Sequence, residues 1–263
     1  MEHRIQEVNG LRLHYTVAGA GPDLVFIHGW GSSRRMWATF LPDLTRQFRC
    51  WTLDLPGFGD SEKPAPRWYS IPNFTAFVAA FIDDQRIAPA GLVGHSMGGM
   101  VVLNLAARHP AVVLRVAAIN PVISGRATLR PLARPKTSAR VLDWFLRLSP
   151  GLMQPLLTHP LGHRVGGLTQ FRRRTEDFAK STAESLMSSG RAIVNYDVTP
   201  VLDQVTAPTL VLVGAKDINV PPSEGRRAAA RIPGARLVVM PTGHLPTDER
   251  PAETLRHLQR FFS

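Results

Sequence analysis

Cysteine is almost absent from this chain, which carries only Cys50. One thiol excludes an intrachain disulfide and a cysteine-rich zinc site. Lysine is scarce as well. Only Lys63, Lys136, Lys180 and Lys216 are present, so the formal net charge of +11 rests mainly on arginine. No apolar run approaches the roughly 18 residues that would read as a membrane span. The opening MEHRIQEVNG has no basic stretch followed by an apolar one, so no signal peptide is read and a cytoplasmic location is expected. No fixed-period repeat is present, which argues against a solenoid. The arginines are scattered and come with no helix-turn-helix or Cys/His finger pattern. They are read as solvated surface, with no nucleic-acid partner.

What is present is a globular composition. The chain has 263 residues, 44% of them hydrophobic and 19% charged, enough for one large core domain with a modest insertion. Ile5–Val8 and Leu11–Val17 flank Asn9-Gly10, a strong hairpin signal. Short apolar runs at Leu24–His28, Cys50–Leu53, Gly91–Gly94 and Val112–Ile119 read as buried strands. Helical spacing separates them at Met36–Leu44, Asn73–Ile82 and Gly98–Arg108. This alternation predicts βαβ units and a mostly parallel sheet. Strand patterns resume at Thr209–Val213 and Arg236–Met240, with helices expected over Pro222–Ile232 and Pro251–Phe261. From about Pro121 to Pro200, Val141–Leu148 and Ser181–Val194 read as helices and no confident strand appears. The expected organisation is a core of residues 1–122 and 200–263 with a helical cap at residues 123–199.

The chemistry concentrates at strand ends. Gly94-His95-Ser96-Met97-Gly98 lies between a strand and a helix. A serine on such a sharp turn exposes its hydroxyl, and glycines two residues to either side remove clashing Cβ atoms. Serine needs a base, and the base needs an orienting acid. Asp217 follows the strand Thr209–Val213 and His244 follows the strand Arg236–Met240, where open α/β sheets place active residues. Ser96, Asp217 and His244 are therefore the expected nucleophile, acid and base. His95 is expected to point elsewhere and to pack or hydrogen-bond. Asp54 is expected to tie down its own turn, and Asn120, an amide, cannot be the acid. Asp248 and Glu249 read as charge complements to a helix N-terminus. The expected oxyanion donors are the backbone N–H groups of Trp30 and Met97. The Trp30 side chain either lines an acyl pocket or packs under the cap. Trp144, Phe145 and Leu148 either line an apolar acyl site or form the cap's own core. Arg172–Arg174 either meet an anionic substrate group or, the preferred reading, face solvent.

HGWG at His28–Gly31, DLPGFGDS at Asp54–Ser61, GHSMGG at Gly94–Gly99, GAKD at Gly214–Asp217 and GH at Gly243–His244 together resemble the α/β-hydrolase superfamily. They are most similar to its small, capped branch of serine esterases, C–C bond hydrolases and cofactor-free haloperoxidase-like proteins. The resemblance implies an α/β-hydrolase fold, with a mostly parallel eight-stranded sheet flanked by helices and an inserted helical cap. It also implies the triad and oxyanion roles given above, and no metal or organic cofactor. Serine at position 96 speaks against the dehalogenases and epoxide hydrolases of the superfamily, which use aspartate there. The expected activity is cleavage of a small-molecule carboxylic ester by a monomer or homodimer. A C–C bond hydrolase or a lactonase using the same triad, or a non-catalytic ligand binder on the same fold, are the alternatives.

Overall fold

The computed structural model describes residues 1–128 and 166–263. Eight strands form one sheet: β1 (Glu2–Val8), β2 (Leu11–Ala18), β3 (Asp23–Ile27), β4 (Arg49–Leu53), β5 (Ala90–His95), β6 (Val113–Ile119), β7 (Thr209–Gly214) and β8 (Arg236–Met240). Their order is β1-β2-β4-β3-β5-β6-β7-β8. The β1–β2 and β2–β4 pairings are antiparallel; every other pairing is parallel. The hairpin turns at Asn9 and Gly10, with φ of 48° and 75°, the left-handed pair a two-residue turn of this kind requires.

Nine helices appear among the described residues: α1 (Leu41–Leu44), α2 (Ile71–Asp84), α3 (Met97–Arg108), α4 (Gly125–Thr128), α5 (Gly167–Ala179), α6 (Ala183–Val194), α7 (Pro222–Arg231), α8 (Pro246–Glu249) and α9 (Pro251–Phe262). Several bounds shift by a few residues from expectation, and two of the helical ones have a clear local cause. Met36–Leu44 is not one helix. It is a 3-10 turn at Arg34–Trp37, capped by the Ser33 side chain, followed by the single turn of α1. Helix α2 starts one residue before Pro72 because the Ser70 hydroxyl accepts from the Asn73 amide, leaving the proline in the first turn where no N–H is missed.

Side-chain alternation along each strand divides the core. In β3, Val25 and Ile27 pack with α2 and α3 on one face. Leu24 and Phe26 pack with Trp37, Phe40, Leu255 and Leu258 on the other. Both faces are covered, so a five-residue strand can be apolar almost throughout. Among the described residues no helix is long and apolar enough to cross a membrane. Helices α5 and α6 belong to the cap region inserted between β6 and β7.

The strand order reverses between β3 and β5, which are neighbours although β4 intervenes in the chain. Such a switch point opens a crevice beyond the carboxyl ends of the strands. Close approach of α3 to β3 depends on Gly98, where a Cβ would overlap the Ile27 and His28 carbonyl oxygens. Those atoms are backbone and cannot swing aside. Gly98→Ala is therefore expected to destabilise the fold by about 3 kcal/mol, the upper end of ordinary overpacking. A urea unfolding midpoint equal to that of the wild type would show that the crossing has room to spare.

Candidate active site

Ser96 sits between β5 and α3 with φ 55° and ψ −114°. A non-glycine residue there is strained by about 1–3 kcal/mol, and neighbouring bonds must hold it in place. The Ser96 amide donates to the Ile119 carbonyl at 3.0 Å, and its carbonyl accepts from Met100 and Val122 at 3.2 Å each. This turn aims the hydroxyl out of the sheet toward His244. The Ser96 Oγ lies 3.1 Å from His244 Nε2, and His244 Nδ1 lies 2.7 Å from Asp217 Oδ2. The other Asp217 oxygen accepts from the Asn219 and Val220 amides at 2.8 and 2.9 Å, so the carboxylate cannot rotate freely. The three residues expected to act together are thus in one hydrogen-bonded line, at the ends of β5, β7 and β8.

The histidine beside the serine does point elsewhere. His95 Nε2–H donates to the His244 carbonyl at 2.8 Å, and its buried Nδ1 has no hydrogen-bond partner among the described residues. Burial, with a smaller contribution from the nearby His244, pushes the His95 imidazole down to about 3. In the unfolded chain it would take up a proton near pH 6.5. Its contribution to stability is therefore complete above pH 6.5 and is lost as the pH falls from there toward 3. Over that window His95 alone is expected to give a slope of about 1 kcal/mol per pH unit. Urea midpoints at pH 7.5 and 5 should converge in His95→Gln relative to wild type; an unchanged difference would assign the acid sensitivity to other groups.

Asn120 does something the sequence did not reveal. It is no acid, but its Oδ1 accepts from the Gly214 amide and its Nδ2 donates to the Gly243 carbonyl at 3.0 Å. It joins the segment leading to Asp217 to the one leading to His244. Asp54 ties its own turn, as expected. Its buried carboxylate accepts from the Arg34 and Asp60 amides at 2.6 and 2.9 Å and pairs with the Arg34 guanidinium. His28 connects that turn to the loop after β3. Its Nε2 accepts from the Leu55 amide at 3.0 Å, so the proton must be on Nδ1, which donates to the Gly29 carbonyl at 2.7 Å.

Trp30 lies on that loop. Its indole N–H donates to the Ser189 hydroxyl and the Leu186 carbonyl of α6, at 3.0 and 3.2 Å, and its ring meets Phe178 edge to face. Met97 is the first residue of α3, where an amide has no partner within the helix. No bond from the Trp30 or Met97 amide to another described group is present. Trp144, Phe145 and Leu148 lie outside the described residues.

The three cap arginines do not share one fate. Arg172 is exposed, as preferred from the sequence, but Arg173 and Arg174 are largely covered and both pair with buried Asp248, at 3.0 and 2.7 Å. Arg35 adds pairs to Glu176 and Asp177, at 2.8 and 3.1 Å. The seam between α5 and the core thus sets Arg35, Arg173 and Arg174 against Glu176, Asp177 and Asp248. Asp248 lies in the first turn of α8, as an acid at a helix start should, and it also pairs with the cap arginines. Among the described residues no group of three or more His, Cys, Asp or Glu is arranged to hold a metal ion.

Residues 22–251 match the alpha/beta hydrolase fold family. The chain is 33% identical to the pimeloyl-[acyl-carrier protein] methyl ester esterase of Neisseria meningitidis serogroup B, over 83% of this chain and 85% of that one. Among solved structures it resembles the enol-lactonase of Burkholderia xenovorans LB400, with 28% identity, a TM-score of 0.81 and coverage of 98% and 99% of the two chains. A hydrolase from Pseudomonas aeruginosa is similar at 26% identity and a TM-score of 0.80, covering 99% and 98%. With the strand order, the serine turn and these likenesses in agreement, the chain belongs to the alpha/beta hydrolase fold family.

Proposed function

We propose that this protein is a serine hydrolase that cleaves a carboxylic ester of a small to medium, mainly apolar substrate through an acyl-enzyme. The observation that carries this reading is the line Ser96 Oγ, His244 Nε2, His244 Nδ1, Asp217 Oδ2, with separations of 3.1 and 2.7 Å on either side of the ring. Asp217 accepts the Nδ1 proton and so leaves the Nε2 lone pair facing Ser96. As Oγ bonds to the ester carbon, its proton passes to Nε2. The C–O bond to the leaving alcohol then breaks, and Nε2–H protonates that alcohol. Water attacks the acyl carbon with His244 as base, the bond to Oγ breaks, and Ser96 recovers its proton. The Trp30 and Met97 amides face the oxyanion in both halves of the cycle, and each such donor is worth roughly 3 kcal/mol.

In this reading residues 123–199 are the cap, and the acyl site is assigned to Trp144, Phe145 and Leu148 together with Trp30 of the core loop after β3. The balance of acids and arginines along the seam supports a neutral substrate, because Arg173 and Arg174 are already matched. The Neisseria relative is named for a methyl ester and the Burkholderia structure for a lactone, itself an internal ester. A fluorophosphonate probe tests the proposal directly. Mass spectrometry is expected to find one adduct, on Ser96, with parallel loss of short-chain aryl ester turnover. Turnover that survives full labelling, or an adduct elsewhere, would overturn it.

A further inference from the structure

The loop that carries His244 lies beyond the end of β8, where pairing with the β7 side ends once the Lys216 amide has donated to the Thr242 carbonyl at 2.8 Å. Its main-chain groups still need partners, since the segment is half-buried. Glu249 meets this need from both sides of the histidine. Its Oε2 accepts from the Gly243 amide at 2.8 Å and its Oε1 accepts from the Leu245 amide at 3.2 Å. The carboxylate lies close against Gly243, where an added Cβ would come within 3.1 Å of Oε1. The Glu249 amide in turn donates to the Leu245 carbonyl at 2.8 Å, so residue and loop are closed on each other. The spacing reads Glu249 as a charge complement to a helix start, and its carboxylate also reaches back to the amides on either side of His244.

We propose that Glu249 is a positioning residue for the reaction: by holding the amides that flank His244, its carboxylate sets the reach of the imidazole toward Ser96. This rests on the reading of His244 as the base. Asn120 and His95 hold the carbonyls of the same loop, of Gly243 and His244 respectively. Among the described residues, the side-chain acceptor for both the Gly243 and the Leu245 amide is Glu249, and it holds them with one rigid group. Two bonds to one carboxylate fix an angle as well as a distance. Glu249→Gln keeps the shape but turns one acceptor oxygen into an NH2 that faces an N–H, so one bond is lost and the loop tilts.

A purely structural role would also predict damage, so the test must separate the two. The kcat and KM for a short-chain aryl ester are measured in wild type, Glu249→Gln, His244→Ala and the double variant. Glu249→Gln is expected to lower kcat about 100-fold, the effect of a misplacement near 1 Å, with little change in KM. Added to His244→Ala, it is expected to change the residual rate by less than about twofold, because a residue that acts through the base has nothing left to act through. The same fold-loss in both backgrounds would overturn the proposal and leave Glu249 as a brace for the fold. Wild-type turnover in His244→Ala would instead remove the base itself, a separate failure. If Glu249→Gln loses its cooperative thermal transition, Glu249→Asp, which keeps the charge but shortens the reach, enters the same cycle with the same two outcomes.

Discussion

Ser96→Ala is expected to lower kcat for a short-chain aryl ester by about 10⁶-fold, with the folded protein intact. The size of the loss follows from what remains. Without Oγ there is no covalent intermediate, and His244 at best activates water from a poor position. The amides of Trp30 and Met97 and the acyl site would still bind the ester, so a residual rate about 10³–10⁴-fold above water should persist. Stability should change little, because alanine meets the same backbone strain at φ 55° that serine does. Steady-state turnover, with circular dichroism to confirm folding, checks both halves. A folded variant within tenfold of wild type would place the nucleophile elsewhere.

Asp217→Asn is expected to lower kcat about 10⁴-fold while leaving the protein folded. The asparagine can still accept the Asn219 and Val220 amides that Asp217 Oδ1 accepts at 2.8 and 2.9 Å. Its NH2 then faces His244 Nδ1, which must become the acceptor. The ring proton moves to Nε2, toward Ser96, and the serine has no base. The loss therefore comes from the wrong tautomer as well as from a missing charge beside the imidazolium. The measurement is kcat at fixed pH for wild type and variant. A loss below tenfold would mean that another carboxylate orients the ring.

The parts of this site that were legible in the sequence are those set by neighbours along the chain. A serine between glycines at a strand-to-helix turn, an aspartate just past one strand and a histidine just past the next are local patterns. The sheet brings all three to the carboxyl ends of its strands. His95 and Asp54 were legible for the same reason, since one adjoins the serine turn and the other lies within its own. Asn120, His28 and Glu249 were not. Asn120 bonds to Gly214 and Gly243, each about a hundred residues away, and neither bond leaves a trace in local spacing. Arg173 and Arg174 misled because a run of three arginines on a polar helix reads as solvated. Only the fold reveals Asp248 across the seam. The end of α2 nearest Pro72 was misplaced by one turn signal overriding another: the proline suggested a start, and the Ser70 cap set it earlier.

The short turn from Leu245 to Glu249 is gripped from two directions. Glu249 faces the His244 loop, and Asp248, next to it in the chain, faces Arg173 and Arg174 on the cap. A cap transplanted from a relative to change substrate choice would bring its own residues to that seam. If it lacked the two arginines, buried Asp248 would be left as an uncompensated charge one residue from Glu249, which holds the His244 loop. Chimeras of this scaffold must therefore graft the seam along with the rest of the cap, because the cap and the segment that carries His244 share a joint.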